Sequence, residues 1–185
     1  DMDGTVYLGD RIFPFSVPFL ERIRSQGKKR LWLTNNCSKT PEEYVGKLGR
    51  MGVAAEPADI YTSGHATIAW LRENRPGARL FALATPSFER QLAEAGFPLV
   101  QERPDFVLAS FDLTLTYAKL RAACEFILRG APFFATHPDK VCPTETLPVP
   151  DCGALCAAIS AATDAAPRYF GKPCKEMAQG AMARL

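Results

Sequence analysis

Residues 30–62 read RLWLTNNCSKTPEEYVGKLGRMGVAAEPADIYT, and this stretch decides the fold. Arg30 to Thr34 is a short apolar run of strand character that stops at two asparagines. Thr40-Pro41-Glu42-Glu43 follows: a capping box with proline at the first helical position. The helix it opens carries Tyr44, Val45, Leu48 and Met51 at helical spacing and ends at Gly52. Asp59 to Tyr61 is again a short strand. Strand, helix and strand within about thirty residues is the texture of a parallel sheet with helical crossovers.

Working outward, Ser16 to Gln26 reads as an earlier helix, with Ser16 as cap and Gly27 as stop. After Ser63 the alternation continues. Helices are predicted over 64–74, 86–95, 117–128 and 153–162, with strands over 79–84, 105–109, 132–135 and 169–170, and a last helix starts at Lys175. Residues 136–152 are predicted irregular, because Pro138, Pro143, Pro148 and Pro150 interrupt any ladder or helix. A loop of that length within a compact domain is usually functional. Phe13, Phe15, Phe19, Phe133 and Phe134 read as core residues.

The 185 residues carry 22 Lys and Arg against 20 Asp and Glu, for a net charge of +2. That balance argues against a nucleic-acid or membrane-surface binder. At 47% hydrophobic and 23% charged residues, the chain is neither disordered nor collagen-like. No apolar run is long enough to span a bilayer. No signal peptide is expected, because Asp1, Asp3 and Asp10 occupy the start. The six cysteines form no CxxC, and only His65 and His137 could join them, so a structural zinc site is not expected. Reduced thiols in a cytoplasmic protein are expected, with Cys152 and Cys156 as small core hydrophobes.

The chemistry concentrates at strand ends. Asp1-Met2-Asp3-Gly4-Thr5 places two carboxylates two positions apart, on the same side of an extended segment. Like charges that close are costly unless a cation offsets them, and Mg²⁺ takes oxygen ligands of this kind. Gly4 would let the backbone approach a phosphate, whose oxygens consecutive N–H groups can bind. Taken alone, the pair also reads as a solvated acidic segment or as the DxD of some glycosyltransferases. An EF-hand is excluded, because Val6 and Ile12 stand where Gly and Glu are needed. Thr34, Asn35 and Asn36 follow one strand and Gly171-Lys172-Pro173 another, at the carboxyl ends where open α/β sheets bind ligands. Each alone has an ordinary reading, as a turn or a solvated lysine. Together they offer two carboxylates, a hydroxyl and an ammonium, a set suited to a phosphate and a metal.

In that order, DMDGT, LTNN and GKP resemble the first three motifs of the haloacid dehalogenase-like superfamily, and specifically its NagD and p-nitrophenyl phosphatase branch. Ala135-Thr136-His137-Pro138-Asp139 resembles that branch's ATNPD segment, with His137 where Asn is usual, and Cys152-Gly153-Ala154-Leu155-Cys156 its Gly-Ala helix start. The resemblance implies an α/β fold: a Rossmann-like parallel-sheet core with an inserted α/β cap of the C2 type. The core would hold residues 1–62 and 169–185, and the cap residues 63–168. By the same resemblance Asp1 is the nucleophile, Asp3 the acid and base, Thr34 a ligand of the phosphoryl oxygens and Lys172 the neutralising cation. Mg²⁺ would be held by Asp1 and Asp3, the latter through its main-chain carbonyl. Gly4, Asn35 and Asn36 are expected on the phosphate, and His137, Asp139, Cys142 and Glu145 of the 136–152 loop on the leaving group.

The implied activity is Mg²⁺-dependent hydrolysis of small phosphorylated metabolites through an aspartyl-phosphate. A phosphoryl-transfer mutase is one alternative. The other is an inactive phosphate-binding module, motivated by the family's fourth motif, which is not within residues 1–185. A homo-oligomer through the cap is implied by the resemblance alone.

Overall fold

The computed structural model describes residues 1–185. Tyr7–Leu8 (β1) and Arg11–Ile12 (β2) form a small antiparallel hairpin, followed by helix α1 (Ser16–Ser25). Trp32–Thr34 (β3) and Ile60–Thr62 (β4) pair in parallel, with Thr34 opposite Thr62. They are joined by α2 (Pro41–Arg50). Its capping box is formed as the sequence predicts: Thr40 Oγ1 accepts from Glu43 N at 3.2 Å, and Thr40 N donates to Glu43 Oε2 at 2.6 Å. Met2, Tyr7, Leu20, Trp32, Tyr44, Leu48, Val53 and Ile60 close the core of this unit.

Helix α3 (Ser63–Asn74) leads into a second, four-stranded sheet. Leu80–Leu83 (β5), α4 (Pro86–Glu94), Phe106–Ala109 (β6), α5 (Tyr117–Leu128) and Phe133–Ala135 (β7) alternate along the chain. Val141–Cys142 (β8) and Val149–Pro150 (β9) make a second hairpin. Then come α6 (Cys152–Thr163), Arg168–Tyr169 (β10) and α7 (Lys175–Met182). The sheet runs β10-β7-β6-β5 and is wholly parallel. Strands β5 and β6 are buried at every position, as befits a parallel sheet covered on both faces. Alternate residues supply the two layers: Leu80, Ala82, Phe106, Leu108 and Phe134 face one way, and Phe81, Leu83, Val107, Ala109, Phe133 and Ala135 the other. Each fully buried large side chain contributes about 1.5–3 kcal/mol. Helix α7 returns to the first unit, with Met177 and Ala181 against Tyr61 and Ala66. No helix is long and apolar enough to cross a membrane.

Three expectations change. The sequence predicts Tyr169-Phe170 as a strand of the returning core. Instead β10 pairs with β7, Tyr169 opposite Ala135, and Phe170 packs among Trp70 and Phe134. The strand therefore belongs to the larger sheet and the chain leaves it at Gly171. The 136–152 segment is not wholly irregular: β8 and β9 pair over two residues each, and Pro150 is tolerated at an edge where no ladder donor is needed. Phe133 and Phe134 are core, but Phe15 and Phe19 are 63% and 58% exposed. Helix α1 buries only Ser16 and Leu20; Phe19 is on its exposed side and Phe15 is the residue before its first turn.

Candidate active site

Asp1 and Asp3 lie on the turn that precedes β1. Gly4 adopts φ +75°, a conformation costly for other residues, and its N–H donates to Tyr7 O at 2.8 Å. The two acids thereby part company. Asp1 is half exposed and its Oδ1 lies 3.0 Å from Lys172 Nζ. Asp3 is more enclosed, with Oδ1 3.8 Å from Lys47 Nζ and Oδ2 accepting from the Tyr7 hydroxyl at 3.5 Å. Burial raises the Asp3 pKa above the ordinary carboxylate value, against the opposing pull of Lys47 and Lys39.

At the carboxyl end of β3, Thr34 is buried and its Oγ1 accepts from Asn36 N at 3.1 Å, which leaves the hydroxyl proton free to donate elsewhere. Asn36 turns its own Oδ1 to Ser38 N and Oγ, at 3.0 and 2.7 Å, so it braces the loop. Its Nδ2 is 3.9 Å from Cys142 Sγ. Asn35 reaches the third motif: Oδ1 accepts from Lys172 N at 2.7 Å, and Nδ2 donates to Lys172 O at 3.2 Å and to Asp139 Oδ2 at 3.0 Å. Burial lowers the Lys172 pKa, and the carboxylate of Asp139 acts the other way.

The structure thus links Asp1, Lys172, Asn35 and Asp139 directly, sets Thr34 and Asn36 on the same loop, and brings Cys142 to its edge. The Cys142 thiol is pushed up to about 11, chiefly by burial, and is neutral there. His137 does not join them. It is fully buried, with Nε2 2.9 Å from Asp151 Oδ1 and Nδ1 2.9 Å from Thr136 Oγ1. Both ring nitrogens are engaged, so the expected substrate contact is not made; the residue braces the joint between the two units.

Lys47 escaped the sequence reading, and Glu145, a polar residue of the 136–152 loop, takes a partner that reading did not foresee. Lys47 is 12% exposed by side chain, and its ammonium lies 4.1 Å from the centroid of the Tyr7 ring. The available signal was its position three residues from Tyr44, on the buried face of α2. Glu145 accepts from Asp10 N at 2.7 Å, which seats the β8–β9 loop on the β1–β2 hairpin. Nothing local to Glu145 could have foretold a partner so distant in sequence. Between these hairpins and α2 opens a cleft of about 490 Å³, lined by Lys39, Lys47, Arg50, Asp10, Thr144 and Glu145 among others, with no hydrophobic residue in its wall.

No three His, Cys, Asp or Glu side chains cluster as a complete metal cage. The oxygen donors of Asp1 and Asp3 still suit Mg²⁺, which binds through one or two carboxylates and keeps several waters.

Comparison with known proteins identifies the family. Residues 1–98 match the family of haloacid dehalogenase-like hydrolases. The acid sugar phosphatase of Staphylococcus aureus is 34% identical over 174 residues, covering 94% of this chain and 67% of that protein. The crystal structure of a 4-nitrophenylphosphatase from Thermotoga maritima superposes with a TM-score of 0.94 at 38% identity, over all of this chain and 71% of that one. A glycerol phosphate phosphatase from Mycobacterium tuberculosis, solved in complex with magnesium, superposes with a TM-score of 0.92 at 31% identity, over all of this chain and 56% of that one. A matched first motif, a parallel α/β fold and whole-chain superposition lead to one conclusion: the chain belongs to the haloacid dehalogenase-like hydrolases, in their NagD and p-nitrophenyl phosphatase branch of phosphomonoesterases.

Proposed function

We propose that the protein hydrolyses small phosphomonoesters in two steps at Asp1, with residues 1–62 and those after Gly171 as the core and the segment between as a cap. The observation that carries this reading is the 3.0 Å contact between Asp1 Oδ1 and Lys172 Nζ, in which residues of the first and third motifs meet.

In the first step an Asp1 carboxylate oxygen attacks phosphorus and the ester P–O bond breaks. The leaving oxygen takes a proton from Asp3, whose burial favours the protonated acid. In the second step Asp3 accepts a proton from water, the water oxygen attacks phosphorus, and the Asp1–phosphoryl bond breaks to release phosphate. Lys172 offsets charge on the phosphoryl oxygens and the Thr34 hydroxyl donates to them; the expected main-chain donors around Gly4 are instead spent within the turn, Gly4 N on Tyr7 O and Thr5 N and Val6 N on Met2 O. Asp1 and the main-chain carbonyl of Asp3 would hold Mg²⁺, which when bound supplies further charge neutralisation at the phosphoryl group.

The polar cleft beside Lys47 supports a hydrophilic leaving group, because an aryl or alkyl group would meet no apolar wall there. Its donors and carboxylate acceptors together suit hydroxyl groups, which do both. A sugar or glycerol phosphate fits, and similar proteins are named for such substrates.

The test is phosphate release from p-nitrophenyl phosphate and glycerol 3-phosphate by the intact protein with Mg²⁺. Asp1→Asn is expected to lower kcat by at least about 10³-fold, the scale seen when a nucleophile is removed. Unchanged turnover in that variant would refute the assignment.

A further inference from the structure

We infer that Asn35 is a positioning residue that acts through Lys172 rather than a ligand of the substrate. The inference rests on the phosphatase reading, in that it takes Lys172 as the phosphoryl-neutralising cation.

Both amide protons of Asn35 are already committed, so its side chain has no donor to spare for a phosphoryl oxygen. The residue is only 5% exposed. Its Oδ1 faces Lys172 N and its Nδ2 faces Lys172 O, so one carboxamide grips both main-chain groups of the same residue, as a neighbouring strand would. The remaining Nδ2 proton goes to Asp139 Oδ2. A carboxylate accepts and never donates, so Asp139 decides which end of the amide points which way. Flipping the amide would set oxygen against carboxylate and nitrogen against the Lys172 N–H.

The backbone on either side is fixed as well. Ser63 Oγ donates to the Asn35 main-chain carbonyl. Gly171 N donates to Thr136 O at 2.6 Å, and a Cβ at position 171 would lie 2.6 Å from Asn35 Oδ1. The absence of a side chain there is what allows the amide to reach Lys172 N.

The consequence is geometric. Lys172 follows Gly171 on a connecting segment and Nζ ends a flexible four-carbon stem, yet it must meet Asp1 at 3.0 Å. Pinning its main chain on both sides removes the backbone's share of that freedom. Misplacement of a catalytic group by about 1 Å costs on the order of 10²-fold.

The experiment is a double-mutant cycle with Lys172→Met, read on p-nitrophenyl phosphate and on glycerol 3-phosphate. Asn35→Ala alone is expected to lower kcat/KM roughly 10–100-fold, by the same factor for both esters, because Lys172 acts on the phosphoryl group they share. In the Lys172→Met background the same change is expected to cost less than about twofold, since its route of action is already gone. A substrate contact would give unequal losses for the two esters, and a general structural role would give the same loss in both backgrounds; either result overturns the inference. Should Asn35→Ala fail to fold by circular dichroism, Asp139→Ala carries the same cycle from an exposed position, with a smaller equal loss expected. Full activity in Lys172→Met would sink the phosphatase reading together with this one. A damaged Lys172→Met beside an undamaged Asn35→Ala would overturn this inference alone.

Discussion

Gly171→Ala is the sharpest perturbation the packing allows. A Cβ at that position would lie 2.6 Å from Asn35 Oδ1, 2.7 Å from His137 Cβ and 2.8 Å from Thr136 O. One of the three is main chain and another is anchored by a buried imidazole, so none can swing aside cheaply. Overpacking of this kind costs about 1–3 kcal/mol. The hydrogen bond from Gly171 N to Thr136 O, now 2.6 Å, would stretch and lose roughly 1 kcal/mol more. The sum is about 2–4 kcal/mol, or roughly 5–15 °C in Tm for a domain of this size. Gly49→Ala is the internal control. It lies within α2 with no heavy atom within 4 Å of its added Cβ, so the variant should be about 0.5–1 kcal/mol more stable than the parent. Urea unfolding of both variants is the assay. A Gly171→Ala loss below about 0.5 kcal/mol would refute the claim that the joint is close-packed, whatever the control shows.

Other outcomes follow from single contacts. Burial, the largest single influence, would lower the His137 pKa, but its bond to Asp151 and its contact with the Cys37 thiol together outweigh this and hold it well above the ordinary histidine value. The stabilisation is therefore complete below about pH 6.5 and is lost as pH rises through the raised value. Urea unfolding of the parent should show stability declining over that alkaline window, and Asp151→Asn should flatten the decline; parallel curves would contradict the pairing. Thr40→Ala removes the hydroxyl of the capping box and should cost about 0.5–2 kcal/mol by the same assay. Chelation by EDTA should abolish phosphate release and excess Mg²⁺ restore it, whereas activity that survives exhaustive chelation would exclude the metal-assisted reading.

Much of the first unit was legible because its signals are local. The Thr40 capping box, the apolar run at 32–34 and the Gly-terminated helix each depend on neighbours within a few residues, and the structure forms all three. The three acid, hydroxyl and amine motifs were also legible, because the spacing of DMDGT and its place beside LTNN and GKP are properties of order along the chain. The role of His137 was not. An imidazole in a Pro-rich loop looks solvated, and only the approach of Asp151, Thr136 and Ser63 shows that it is sealed in. Tyr169 was misplaced for a similar reason: a two-residue strand carries no periodicity that says which sheet it will join.

The sequence by itself determined the alternation of strands and helices and the parallel pairing of the strands that helices connect, since hydrophobic period, caps and motif order are written in short windows. Tertiary structure alone decided that the two acids of the first motif point to different cations, that the Asn35 carboxamide bonds the Lys172 main chain, and that Glu145 ties one hairpin to another. Those pairings join residues far apart in the chain, and their energies depend on distance, burial and amide orientation, none of which exists until both sheets have folded and met.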